Sequence, residues 1–109
     1  METFEKETVT KRLGNLQKDI KLRASTYYIW TQALFSIGEY YKSIELSDKV
    51  IFEEPLYGDE LIAFIYIKAE ANLKLNNKKI AKELYHSIKK ENANYRQTEE
   101  RLKLLEAIK

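Results

Sequence analysis

The chain of 109 residues lacks cysteine and contains one proline, three glycines and one histidine. Without cysteine it can form neither disulfide bonds nor cysteine-based zinc or redox sites, and its only histidine, His86, cannot head a site with several imidazole ligands. The scarcity of helix breakers favours long regular elements joined by short connections. Apolar residues make up 44% and charged residues 33% of the chain, which is typical of a globular protein, and the length predicts one domain over residues 1–109.

Long hydrophobic runs and catalytic motifs are also missing. The longest apolar run, Leu61 to Ile67, has seven residues, whereas a membrane-spanning helix needs about 20. The first residues mix charges and have no apolar core of a signal peptide, so a cytoplasmic location is the default expectation. No glycine-rich phosphate loop, nucleophile elbow or dinucleotide fingerprint occurs. The adjacent acids Asp59 and Glu60 suit the positive end of a helix better than acid–base chemistry. We therefore expect no enzymatic activity, no cofactor and no metal site.

Apolar residues recur at helical spacing along most of the chain, and the dipeptides typical of β-hairpins are absent. This pattern predicts an all-α fold of about six helices, near residues 3–22, 25–37, 40–53, 59–74, 78–91 and 95–108. The first of these helices carries an apolar stripe formed by Val9, Leu13, Leu16 and Ile20. The stripe has two interpretations: the helix packs on the pair that follows it, or copies of the chain associate through it as a homo-oligomer.

Internal self-similarity is the most informative feature of the sequence. A shift of 38 positions aligns residues 37–57 with residues 75–95 without a gap. The aligned positions are those expected to face a shared core, and they include Ser43/Ala81, Leu46/Leu84, Val50/Ile88 and, further back, Tyr28/Tyr66. This pattern predicts two helix–turn–helix units, repeat 1 over residues 24–57 and repeat 2 over 58–94. An N-terminal helix within residues 1–23 and a capping helix within 95–109 are expected to flank them.

Each unit contains a polar turn between its two helices, Gly38-Glu39 in the first and Asn76-Asn77 in the second. Glycine and asparagine are the residues that most readily enter the left-handed conformation found at helix C-termini. The sequence therefore predicts a left-handed residue at Gly38 and at Asn76.

The stretch GEYYKSIELSDKVIFEEP resembles the second half of a tetratricopeptide repeat, a helical hairpin of about 34 residues. The matching residues are Gly38, Tyr40, Ser43, Val50 and Pro55 in the first unit, and Leu75, Ala81, Tyr85 and Ile88 in the second, where Ala93 replaces the proline. The first helices fit the family pattern less well, and Lys68 departs from it. The resemblance implies antiparallel helical hairpins stacked as a short α-solenoid.

In that family the inner surface of the stack carries the ligand contacts. The resemblance places six residues there: Tyr28, Gln32 and Phe35 from the first unit, and Tyr66, Glu70 and Leu73 from the second. It implies a non-catalytic module, an adaptor or scaffold subunit that binds a peptide or another protein. Aromatic side chains suit recognition, although they could equally fill the groove between the stack and the N-terminal helix. The matching positions hold no cation and one acid, which disfavours capture of a C-terminal carboxylate.

Charge is distributed unevenly between the two units. Residues 24–57 carry a net charge of −3 and residues 58–94 a net charge of +2. Six lysines lie between Lys74 and Lys90, namely Lys74, Lys78, Lys79, Lys82, Lys89 and Lys90. This basic patch predicts either a solvated face or, as an alternative function, association with nucleic acid.

Overall fold

The computed structural model describes residues 20–107, with side chains from residue 23 onward. This part of the chain is all-helical and contains five α-helices, without any strand. They are α1 (Ile20–Ser36), α2 (Tyr40–Glu53), α3 (Gly58–Lys74), α4 (Lys78–Glu91) and α5 (Thr98–Ala107). The predicted all-α class is confirmed, with five helices in the described residues in place of the expected six.

The beginning of the chain differs from the prediction. The expected break between residues 22 and 25 is wrong, because α1 runs without interruption from Ile20 to Ser36. No glycine or proline occurs in this helix, so nothing in its sequence ends a preceding helix at residue 22. Most of the predicted first helix, including Val9, Leu13 and Leu16 of its stripe, lies outside the described residues. The last helix starts at Thr98, three residues after the predicted position of 95.

Helices α1 and α2 form hairpin 1, and α3 and α4 form hairpin 2. The first helix of each hairpin has 17 residues and the second has 14. Each bound in hairpin 2 follows the corresponding bound in hairpin 1 by 38 positions. The period found in the sequence therefore equals the period of the secondary structure.

The two hairpins also turn in the same way. Gly38 and Asn76 adopt φ angles of +85° and +66°, which confirms the predicted left-handed residues. The amide of Glu39 donates to the carbonyl of Leu34 at 2.9 Å, and the amide of Asn77 donates to the carbonyl of Asn72 at 2.8 Å. These bonds satisfy carbonyl groups that the end of a helix would otherwise leave without partners.

Small side chains allow the two helices of each hairpin to approach closely. Thr31 and Ser43 have no exposed surface in hairpin 1, and neither have Ala69 and Ala81 at the corresponding positions of hairpin 2. The hydroxyl of Ser43 donates to the carbonyl of Thr31 across the helix pair at 3.2 Å. Such close contact brings the larger apolar residues on either side of it into the core.

Each helix packs against its neighbours in sequence, and α1 also packs against α3. The buried residues form two clusters. The first, between hairpin 1 and α3, contains Ala24, Leu46, Val50, Leu56 and Phe64. The second, between α3, α4 and α5, contains Ile62, Tyr66, Ala69, Ala81, Tyr85, Ile88, Leu102 and Leu105. Helix α3 contributes to both clusters and so joins the two hairpins.

Asp59 and Glu60 lie in the first turn of α3, as the sequence predicts, where carboxylates interact favourably with the helix dipole. Among residues 20–107, no helix combines the length and the apolar character that a bilayer crossing requires.

Candidate functional site

Four of the six residues expected at the partner-binding surface line one groove. This inner groove lies between α1 and α3, has a volume of about 470 Å³, and is lined by Gln32 and Phe35 of α1, Tyr66 and Glu70 of α3, and Arg96. Tyr66 and Glu70 are four residues apart on α3 and so occupy the same face of the helix. The packing of α1 against α3 brings the two pairs together.

The groove combines exposed and fixed side chains. Gln32 is exposed, Phe35 is half-buried, and Tyr66 is buried with 6% of its surface exposed. The ring of Phe35 packs edge-on against Tyr40 of α2, with 5.3 Å between ring centroids. Tyr66 packs edge-on against Tyr95 at 5.5 Å and Tyr85 at 5.9 Å. The aromatic walls are therefore held by the core.

The other two expected residues, Tyr28 and Leu73, do not line the groove. Tyr28 packs edge-on against Phe64, with 5.5 Å between ring centroids, and lies beside the groove near Arg96. Leu73 packs against the buried cluster of α3, α4 and α5.

Arg96 is a groove residue that sequence reasoning missed. Its guanidinium carbon lies 5.1 Å from the ring centroid of Tyr95, 5.4 Å from that of Tyr66 and 6.0 Å from that of Tyr28. These distances are typical of cation–π interactions. The sequence places Arg96 inside a helix, whereas it lies in the connection before α5 with a φ angle of +44°. The only local signal is the preceding cluster of Asn92 and Asn94, which favours an irregular connection.

Glu70 is engaged inside the protein. Its carboxylate accepts hydrogen bonds from Nε of Arg101 at 2.9 Å and from Nη2 at 3.2 Å, and also from the hydroxyl of Tyr85. This contact joins α3, α4 and α5. Burial, together with the hydrogen bond to Glu70, raises the pKa of Tyr85 above its usual 10.0, and burial also raises the pKa of Tyr66. Both tyrosines are therefore neutral at physiological pH.

The structure exposes most of the basic patch. Lys74, Lys78, Lys79, Lys89 and Lys90 are exposed, while Lys82 is half-buried. The ammonium group of Lys89 lies 3.2 Å from the carboxylate of Glu99, which partly neutralises one end of the patch. Association with nucleic acid through this patch stays a prediction.

No arrangement of three or more histidine, aspartate or glutamate side chains able to hold a metal ion occurs within residues 20–107. His86 instead lies 3.6 Å from the carboxylate of Glu106.

Comparison with known proteins gives no match to a family model, to a curated protein or to a solved structure. The resemblance to tetratricopeptide repeats accordingly stays a prediction from the sequence.

Proposed function

We propose that the chain is a non-catalytic interaction module, an adaptor or scaffold subunit, that binds a segment of another protein in the inner groove. The observation that carries this proposal is that Gln32, Phe35, Tyr66 and Glu70, separated by up to 38 positions in the sequence, line the same groove. Aromatic and arginine side chains are the residues most enriched at the energetic centres of protein interfaces, and the groove contains both.

We further propose that the two hairpins are tetratricopeptide-like units stacked side by side. The identical helix lengths, the shared offset of 38 positions and the matching left-handed turns support this proposal. In a stack of such units the first helices line a continuous surface. The packing of α1 against α3 is the contact that such a surface needs.

The chemistry of the groove indicates what kind of segment fits. Phe35 and the edge of Tyr66 offer aromatic contact area for an apolar side chain. Glu70 is bound to Arg101, so its charge is compensated from within the protein. Arg96 is surrounded by tyrosine rings, and no carboxylate among the described residues lies within ion-pair distance of it. The groove therefore favours a partner segment with an apolar side chain next to an acidic one.

The two groove residues best suited to a test are Gln32 and Arg96, because both are exposed and neither belongs to the buried clusters. Alanine at Tyr66 or Tyr28 would remove core packing and weaken folding together with binding. A Gln32→Ala/Arg96→Ala variant should retain its helicity and bind the partner about tenfold more weakly.

The partner is first captured from an extract of the source cell with the wild-type chain, and its affinity is then measured by titration with purified components. The matched control is Asn94→Ala/Lys103→Ala, which removes one exposed amide and one exposed cation away from the groove. Equal affinities of the groove variant and the control for the partner would refute the assignment of the binding site.

A further inference from the structure

One flank of hairpin 1 lacks the cover that the corresponding flank of hairpin 2 has. Ile67 is 6% exposed, whereas Ile29, 38 positions earlier, is 66% exposed. Ala71 has no exposed surface, whereas its counterpart Ala33 is exposed. The two hairpins have the same helices and the same turns, so the difference reflects what packs against them.

Hairpin 1 provides the cover for hairpin 2. Phe64 of α3 is 1% exposed and packs into the cluster of hairpin 1. The ammonium group of Lys68, also on α3, lies 2.7 Å from the carboxylate of Asp48 on α2. The counterpart of Lys68 in hairpin 1 is Trp30, which is 53% exposed. Trp30 thus occupies a position that, one hairpin later, contacts the preceding element.

The uncovered flank of hairpin 1 is apolar and concave. We call it the leading face and define it by Trp30 and Leu34 of α1 and Leu46 and Phe52 of α2, which line a groove of about 970 Å³. Phe52 is the most exposed of these residues, at 91%. A tryptophan and a phenylalanine exposed side by side are unusual on a surface that faces only water.

We propose that residues 1–19 of this chain fold back over the leading face and pack Val9 and Leu13 against it. The chain enters α1 at Ile20, beside the end of α2, because Arg23 forms an ion pair with Glu54 at 2.9 Å. The segment therefore arrives next to Phe52.

The length and the sequence of this segment fit the task. Even as a helix, residues 1–13 span about 20 Å, which exceeds the roughly 15 Å of helix axis between Ile20 and Trp30. Gly14 and Asn15 are the residue types with which the two described hairpins reverse direction. Covalent attachment also gives the segment a high effective concentration at the leading face, which favours it over a second copy of the chain.

Trp30 reports directly on this contact because it is the only tryptophan in the chain. In the full-length protein we expect Trp30 emission at short wavelength and weak quenching by acrylamide, both independent of protein concentration. The Val9→Asp/Leu13→Asp variant should shift the emission to longer wavelength and increase the quenching constant. The control Thr8→Asp/Thr10→Asp adds the same charge beside the stripe and should leave both signals at their wild-type values.

Two outcomes of the fluorescence experiment would overturn the proposal. One is a Trp30 signal that is the same in the wild-type chain and in the Val9→Asp/Leu13→Asp variant. The other is protection of Trp30 that increases with protein concentration together with the sedimentation coefficient, which would assign the leading face to a second copy.

A double-mutant cycle gives a second, independent measurement. If the segment covers Phe52, the Phe52→Ser substitution should lower the urea midpoint of the full-length chain, and it should have little effect in the Val9→Asp/Leu13→Asp background. Circular dichroism confirms that each variant remains helical. An equal effect of Phe52→Ser in both backgrounds would contradict the proposed contact.

Discussion

At the scale of single residues, Glu70 illustrates how one side chain can serve packing and a surface at once. It lines the inner groove, yet its carboxylate is bound by Arg101 and Tyr85 from two other helices. A half-buried carboxylate without such partners would be strongly destabilising. The contact thus fixes one wall of the groove and joins α3, α4 and α5.

The tyrosine in this contact makes stability depend on pH. Because burial and Glu70 raise the pKa of Tyr85 above 10.0, the folded chain keeps its proton at pH values where the unfolded chain loses it. The contribution of Tyr85 is therefore complete below pH 10.0 and is lost as the pH rises above that value.

We expect the Tyr85→Phe variant to be less stable than the wild type by about 1–3 kcal/mol at neutral pH, since it removes a hydrogen bond to a charged group. The difference should narrow as the pH is raised above 10.0. Urea unfolding at a series of pH values measures both free energies. A difference that stays constant, or widens, on the alkaline side would show that Tyr85 is not protected from deprotonation.

At the scale of elements, the two hairpins reach one shape with different residues. Gly38 and Asn76 occupy the same left-handed position, and the polar pair Thr31/Ser43 corresponds to the apolar pair Ala69/Ala81. The shared requirements are a residue that tolerates positive φ and side chains that are small. The sequence determines both, because each depends only on local geometry.

We expect Gly38→Ala to lower the free energy of unfolding by about 1 kcal/mol, and Asn76→Ala to lower it by a similar amount. At Gly38 the cause is conformational, since an added Cβ would meet no atom within 4 Å. Ser36→Ala, an exposed substitution inside the last turn of α1, serves as the control and should change little. Chemical denaturation measures all three. A Gly38→Ala variant as stable as the control would contradict a left-handed requirement at this turn.

The extent of α1 could not be read from the sequence in the same way. Helical spacing predicted helices on both sides of residues 22–25, and the expected boundary between them was wrong. Apolar periodicity locates the faces of helices, but without a glycine, a proline or a capping residue it gives no reason for a helix to stop. The start of α5 was misplaced for a related reason, since Tyr95 and Arg96 fit a helix by composition.

At the scale of the whole molecule, α3 couples the two hairpins. It supplies Phe64 to the cluster of hairpin 1 and Ile62, Tyr66 and Ala69 to the cluster with α4 and α5. Neither cluster can lose its packing without exposing one side of α3. We therefore expect the described helices to unfold as one cooperative unit.

The expected signature is coincidence of two urea transitions, one followed by Trp30 fluorescence and one by circular dichroism. Trp30 reports on hairpin 1 alone, whereas circular dichroism reports on all helices. A Phe64→Ala substitution should move both midpoints together and lower the free energy of unfolding by about 3–5 kcal/mol. Separate midpoints in the wild-type chain would contradict the coupling through α3.

The candidate site divides along the same lines as the fold. The register of the two units was sufficient to place Gln32, Phe35, Tyr66 and Glu70 along one groove. It also placed Leu73 there, although that residue packs into the core. Register alone does not distinguish the two cases, because the angle around a helix axis says nothing about how far the neighbouring helix extends.

By itself, the sequence determined the all-α class, the 38-position period and the left-handed turns, because helical spacing and the tolerance for positive φ are properties of neighbouring residues. Only the tertiary structure decided that Arg96 enters the groove and that Glu70 is neutralised by Arg101, 31 residues away. Such contacts depend on how helices and connections pack in space. Interactions between residues so far apart leave no periodic signal along the chain.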